Sequence, residues 1–393
     1  MRALKLLFAL AALMLVATAC GGPAEESGST VGAGSEPAPA ETAAPTGSEM
    51  ATGGSEMATG GSSEAATGGG SASSDVQAAM VTDVGGLGDQ SFNDSANAGL
   101  ERAEEELGVT INVLESGAPT DYVNNLTQLA ENGFSPIFAV GFLMTDALAE
   151  IAPQFPDTNF AIIDSVVEEP NVTNIVFEEQ QGSYLAGIVA GLMTQQDTEF
   201  TNPDDKVVGF LGGLESELIE KFEAGYTAGV YSVCPDCQVL SQYAGTTPDA
   251  FNDPAAGKEI SLNFIDQGAD IIYHASGATG AGLFEAATDR NVFAIGVDSN
   301  QAEIVPDAPI LTSMLKRVDN AVFQVVEQAV NGEIPSGETV AFGLSEDGVA
   351  LAPFGEFEQM VPQEVTTAVD EARQAIIDGE VTAPTTMADV QKP

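Results

Sequence analysis

The sequence predicts an α/β fold of two Rossmann-like lobes, each a parallel sheet wrapped by helices, with a ligand cleft between them. Three observations carry this prediction. After residue 75, short apolar runs alternate with amphipathic stretches, the pattern of strand–helix–strand units. The alternation comes as two successive series of similar length and order. The folded part, about 318 residues, also exceeds what one core usually fills.

The first series opens with a strand at Ala78–Val84 and a helix at Ser95–Leu107. Val109–Leu114 is followed by a helix at Tyr122–Asn132, and Pro136–Gly141 by one at Asp146–Ala152. Asn159–Ser165 and Asn174–Glu178 complete the sheet. Each strand is a short apolar run, as expected where both faces are covered. The apolar helix at Gly182–Thr194 is too short for a membrane span, which needs about 20 residues. Its Ala186, Gly187, Ala190 and Gly191 suit close helix packing.

In the second series Val207–Gly212 precedes a helix at Glu217–Tyr231, and Val239–Tyr243 one at Ala255–Gln267. Asp270–Ala275 precedes Gly280–Asp289, and Val292–Asp298 ends the run. Beyond it, Thr312–Arg317 crosses into a helix at Val318–Val330.

The chain begins with a secretion signal: Arg2 and Lys5, an apolar stretch Leu6–Leu15, then Ala17-Thr18-Ala19-Cys20. A Cys directly after small residues resembles a bacterial lipobox, with Ala17 in place of the usual Leu, so Cys20 is the expected lipidation site and residues 1–19 the signal peptide. The alternative is a plain cleaved signal. Residues 20–74 are rich in Gly, Ser, Ala, Thr and Glu and repeat the heptad GSEMATG at Gly47–Gly53 and Gly54–Gly60. They form an expected flexible tether with a reach of about 40 Å.

Formal charge is −48. Nucleic-acid binding needs a basic face, so that partner class is excluded. Besides Cys20, the cysteines are Cys234 and Cys237 in a C-x-x-C. A zinc half-site or a redox motif would use the same spacing, but there is no second cysteine pair and only one histidine, His274. A local structural disulfide is the favoured reading in an exported protein.

The most informative stretch is Val81–Leu100, VTDVGGLGDQSFNDSANAGL. A strand breaks into glycines and then a helix, which places Phe92 and Asn93 at the carboxyl end of a strand, where open α/β sheets bind small molecules. Phe92 could equally be a core plug. Neither the G-x-G-x-x-G fingerprint nor a P-loop occurs, so the corner suits a neutral, polar, partly flat ligand. The second series has similar signals: Phe222, the Ser276–Gly280 glycine turn with Gly277, and Asp298 at a strand end. Asp298 could instead cap a helix, and Lys316, one of few lysines, could be an exposed helix-start charge. No nucleophile–base pair, metal cluster or cofactor loop stands out, so neither an enzyme nor a cofactor is expected.

Together these motifs resemble the basic membrane protein family of lipid-anchored solute-binding proteins. The resemblance spans about Ala78 to Pro362 and rests on several segments in family order. These are Asp83…Asp89-Gln-Ser-Phe-Asn93, Gly141-Phe142…Thr145-Asp146, Gly182–Gly187, Gly209–Gly213, Phe222–Gly229, Gly277…Thr279-Gly280, Gly296–Gln301 and Thr312–Lys316. Gln90 stands where Lys is frequent.

The resemblance implies a type I periplasmic-binding-protein fold with three crossovers, expected near Glu178, Met314 and Glu338. Lobe 1 would then hold 75–178 and 315–338, and lobe 2 would hold 179–314 and 339–393. It implies a purine nucleoside stacked between Phe92 and Phe222, ribose hydroxyls on Asp298, and Lys316 donating to a ribose oxygen. Asp83 or Asn93 would read the base edge, with Thr145 and Gly277 completing the site. It further implies an ABC permease as partner and a monomer held by lipid on the outer face of the cell membrane. The alternative is a binding or receptor protein for another small polar solute, such as a sugar or a signalling molecule, because fold does not fix function.

Overall fold

The computed structural model describes residues 75–392. The expected signal, Cys20 and the tether lie outside the described residues. The chain builds β1 (Gln77–Val81), α1 (Phe92–Leu107), β2 (Thr110–Leu114), α2 (Tyr122–Glu131), β3 (Ile137–Val140), α3 (Thr145–Ile151), β4 (Phe160–Ile163) and β5 (Val172–Phe177). It continues with α4 (Glu179–Met193), β6 (Val207–Leu214), α5 (Glu217–Val233), β7 (Gln238–Gly245), α6 (Pro254–Asp266), β8 (Ala269–Ala275) and α7 (Gly280–Arg290). Then come β9 (Phe293–Asp298), α8 (Gln301–Ile304), β10 (Ile310–Lys316), α9 (Val318–Asn331), β11 (Thr339–Phe342), β12 (Val349–Leu351) and α10 (Gln363–Ile377).

Two six-stranded sheets result, in the orders β11-β5-β4-β3-β1-β2 and β12-β10-β9-β8-β6-β7. All neighbours run parallel except β12, which returns antiparallel to β10. The central strands β1, β3, β4, β8 and β9 are buried almost throughout. That is why they read as unbroken apolar runs rather than alternating ones.

The chain passes from lobe 1 to lobe 2 between β5 and α4, and the other two crossings lie later than expected. Met314 falls inside β10, which stays in the second sheet through Lys316; the chain then crosses, and α9 packs on α1. Glu338 precedes β11, which pairs with β5 from Thr339↔Asn174 to Phe342↔Phe177 and so belongs to lobe 1. The third crossing therefore lies between Phe342 and Val349. β11 is short and largely exposed, and its apolar run is only three residues, Val340-Ala341-Phe342, too short to mark it as a strand.

Two local features set the geometry of the cleft. Helices α4 and α5 meet backbone to backbone. A Cβ on Gly187 would lie 2.1 Å from the Tyr226 carbonyl oxygen, and one on Gly229 would lie 2.0 Å from that of Tyr184. This contact fixes Glu179 at the start of α4 relative to Phe222 on α5. The turn between α5 and β7 is closed by a disulfide between the buried Cys234 and Cys237, with Cα atoms 5.3 Å apart.

Candidate functional site

Helix α1 begins at Phe92, earlier than the sequence pattern places it. Ser91 at its N-cap makes no side-chain cap; Asp89 does that work from two residues upstream. Asp89 Oδ1 accepts from the N–H groups of Ser91 (2.9 Å) and Asp94 (3.1 Å), and Oδ2 from that of Asn93 (2.8 Å). The carboxylate satisfies the orphan donors of the helix start and turns the Phe92 ring toward the second lobe.

The Asn93 amide bridges two acids. It donates to Asp83 Oδ1 at 2.9 Å and to Asp89 Oδ2 at 3.0 Å, and its Oδ1 accepts from Asp83 N at 3.3 Å. Both of its donors are spent, which leaves Asp83 to face the cavity. Asp83 Oδ1 also accepts from Gly85 N at 2.9 Å. Oδ2 points toward Gly141, where a Cβ would lie 3.4 Å from that oxygen and 3.4 Å from the Phe92 ring. Gly141 also has φ 114, so the wall needs glycine for conformation as well as space. Burial raises Asp83 to about 6 despite its Asn93 bond, and burial raises Asp89 as well.

From lobe 2, β9 ends in Asp298 at φ 64, a left-handed conformation that a non-glycine residue holds only where its surroundings demand it. Asp298 is buried and accepts a hydrogen bond from Ser91 Oγ across the cleft. Burial raises it to about 7, against the pull of Lys316 and the Ser91 bond. Lys316, 1% exposed at the end of β10, lies 2.5 Å from Asp164 Oδ2 and 3.1 Å from Glu179 Oε1. Burial works against its charge, but Asp164, Glu179 and Asp298 outweigh it and hold the ammonium above the usual lysine range. One cation shared among three acids cannot neutralise each of them, so burial still lifts Asp164 to about 6.

The Lys316 ammonium is ringed by aromatic faces, 5.2 Å from Phe92, 5.0 Å from Phe177 and 5.5 Å from Phe222. Phe92 and Phe222, one from each lobe, thus flank one cavity. Gly277, at φ 55 in the turn after β8, also lines it. Asp83, Phe92, Asn93, Phe222, Gly277, Asp298 and Lys316 therefore converge on its wall.

Thr145 does not line this cavity. Its hydroxyl is taken up at the start of α3, lying 2.6 Å from the Phe142 carbonyl and 2.7 Å from Ser165 Oγ. Sequence reasoning also missed several wall residues. Asp89 and Asp164 close apolar strand–turn segments and could have been found by the rule that located Asp298. Phe142 and Phe251, which meet edge-on across the cleft at 6.4 Å between centroids, sit in short 3-10 turns with no periodic signal. Among the described residues no group of His, Cys, Asp and Glu is placed to hold a metal, and no helix is long and apolar enough to cross a membrane.

Residues 76–387 match the Bmp family profile, described as ABC transporter substrate-binding protein, PnrA-like. The chain belongs to the Bmp family. A CD4+ T-cell-stimulating antigen of Listeria monocytogenes is 37% identical over 334 residues, covering 80% of this chain and 89% of that protein. The ABC transporter nucleoside-binding protein BmpA of Lactococcus lactis is 34% identical over 332 residues, covering 79% and 90%. A solved ABC transporter solute-binding protein from Aeropyrum pernix superposes with a TM-score of 0.71 at 30% identity, over 79% of this chain and 94% of that one. This Bmp-family protein is accordingly an ABC substrate-binding protein with the type I periplasmic-binding fold.

Proposed function

We propose that this Bmp-family protein captures a purine nucleoside between its lobes and delivers it to an ABC permease from a lipid anchor on Cys20, as a monomer on the outer face of the cell membrane. The observation that carries the reading is the pair of phenylalanines, Phe92 and Phe222, one on each lobe, facing one cavity whose polar wall is Asp83, Asp298 and Lys316. Two aromatic faces suit a flat heterocycle. A carboxylate at Asp298 accepts from two vicinal hydroxyls at once, and Asp83, rather than Asn93, has an oxygen free to accept from the base edge. Lys316 donates to a ribose oxygen while staying paired with Asp164. Gly277 lets the backbone of lobe 2 approach the ligand. The relative from Lactococcus lactis carries a nucleoside-binding description, which supports the same ligand class.

Isothermal titration with guanosine, inosine, adenosine, cytidine and free ribose tests the reading. Purine nucleosides are expected to bind best and ribose hardly at all. Tight binding of a sugar with every nucleoside silent would replace the purine assignment with that of a different polar solute.

A further inference from the structure

Behind the cavity wall a second set of side chains joins the lobes without lining the cavity. Gln301, at the start of α8 and 1% exposed, has its Oε1 occupied inside lobe 2. There it accepts from Val297 N–H at 2.8 Å and lies 2.9 Å from His274 Nε2. Its backbone N–H donates to Ser313 Oγ at 3.1 Å. Because the Val297 N–H requires an acceptor, the amide can face only one way, and its Nε2 then donates across the cleft to the Gln90 carbonyl at 2.9 Å.

His274 is built to hold that orientation. Fully buried, its ring stands edge-on to Phe284 at 5.3 Å and tightly against Gly280, where a Cβ would lie 2.1 Å from the ring. With Oε1 of Gln301 as acceptor, Nε2 carries the proton and Nδ1 accepts from Ser276 Oγ at 3.1 Å. Burial lowers this histidine to about 4, so the neutral tautomer persists at ordinary pH.

The receiving side is equally prepared. Gln90 sits at φ 54, left-handed for a non-glycine residue, and such backbone persists only where its surroundings over-determine it. Asp94 does so by accepting from the N–H of Gly88 at 2.8 Å and of Gln90 at 2.9 Å. The carbonyl is thereby held where Gln301 can reach it.

We infer that Gln301 is a positioning residue that latches lobe 2 onto the Gln90 turn of lobe 1, with His274 fixing its amide, so that it sets how long the cleft stays shut over a ligand it does not touch. The inference rests on the reading of the cleft as the binding site. It would apply to any solute held there.

Two near-isosteric variants test it, Gln301→Glu and Gln301→Met, each checked for folding by circular dichroism. Gln301→Glu keeps an acceptor for Val297 and His274 but loses the donor to Gln90 and adds a buried carboxylate; Gln301→Met adds no charge but removes the acceptor together with the donor, so a change common to both reports the lost contact to Gln90. Spin labels at the exposed Glu104 and Glu259, one per lobe, report the interlobe distance without ligand, and stopped-flow measures guanosine kinetics. The expected result is a longer interlobe distance and dissociation about three- to tenfold faster, the scale of one net hydrogen bond, with association changed less than about twofold. His274→Phe, which keeps the ring and drops the proton, should shift both readouts in the same direction by less. Unchanged distance and dissociation in whichever Gln301 variant folds overturns the latch. If the wild type binds no nucleoside, the purine reading fails, and the ligand-free distances still decide the latch.

Discussion

Acidification should release the proposed nucleoside, and Asp298 should account for most of the effect. To act as the proposed acceptor of two ribose hydroxyls Asp298 must be ionised, because a protonated carboxyl gives up part of its acceptor capacity. Without ligand it is lifted to about 7, chiefly by burial. Binding therefore pulls a proton off below that pH, and affinity should fall tenfold per pH unit. At pH 5, two units below, the loss from Asp298 alone is about 2.7 kcal/mol at 1.36 kcal/mol per unit, roughly a hundredfold relative to pH 8, with protonation of Asp83 adding to it below about pH 6. Titration calorimetry in buffers of different ionisation enthalpy counts the proton directly, with close to one released per guanosine near pH 6. Asp298→Asn should bind at least about thirtyfold more weakly at pH 8, the cost of losing a charged acceptor in a closed cleft. Its profile should stay flat until Asp83, raised to about 6, begins to protonate. Ligand-free stability should show the opposite sign. Asp83, Asp164 and Asp298 have folded values raised above the ordinary 3.8, to about 6, 6 and 7. The native state thus holds protons that the unfolded chain has lost, and these groups add stability as pH falls from about 7 toward 4. Equal affinity at pH 5 and pH 8, or an unchanged profile in Asp298→Asn, would refute the assignment of Asp298.

Removing either aromatic face, Phe92→Ala or Phe222→Ala, should weaken guanosine binding about tenfold or more, since stacking on a base is worth about 1–3 kcal/mol; calorimetric affinities within twofold of wild type would sink the stack. Lys316→Met should lower stability by about 3–5 kcal/mol in urea unfolding, because Asp164, at 2.5 Å, and Glu179, at 3.1 Å, lose their buried partner. A second change, Asp164→Asn, should recover part of that loss, and a single variant as stable as wild type would show the pair to be dispensable. For the anchor, Cys20→Ser should give either a soluble protein or an uncleaved precursor on membrane fractionation; normal processing with full membrane retention would remove the lipid from the reading.

The sheets were legible because a strand covered on both faces must be apolar along its whole length, as Ile137–Val140 and Phe160–Ile163 are. Asp298, on the cavity wall, was legible for a related reason: it closes such a run, and a carboxylate there has to be explained; Asp83 was singled out only by the family resemblance. What escaped the sequence depends on partners distant in the chain. β11 is a strand only because β5 offers it an edge. Thr145 sits in a family-like segment, yet Ser165, twenty residues on, engages its hydroxyl. Gln301 and Gln90 are 211 residues apart, and neither side chain carries a local signal of contact across a cleft.

The charges around the cavity narrow the ligand further than the fold does. Asp83, Asp89, Asp164, Glu179 and Asp298 are all packed about this cleft, and the lysines within reach are Lys316 and Lys221, the latter 3.2 Å from Glu179. Neither is free to meet a new anion: Lys316 is committed to Asp164 and Glu179, and Lys221 to Glu179 as well. At an effective dielectric of 20, one carboxylate about 8 Å from a phosphate charge repels it by about 2 kcal/mol, and several act together. A ligand rich in donors, such as vicinal hydroxyls and base N–H groups, instead relieves the carboxylates of the cost of burial without a proton. The same acids that make the empty cleft retain protons should thus make it favour the proposed neutral nucleoside over its phosphorylated form, an outcome that titration with guanosine and its monophosphate checks.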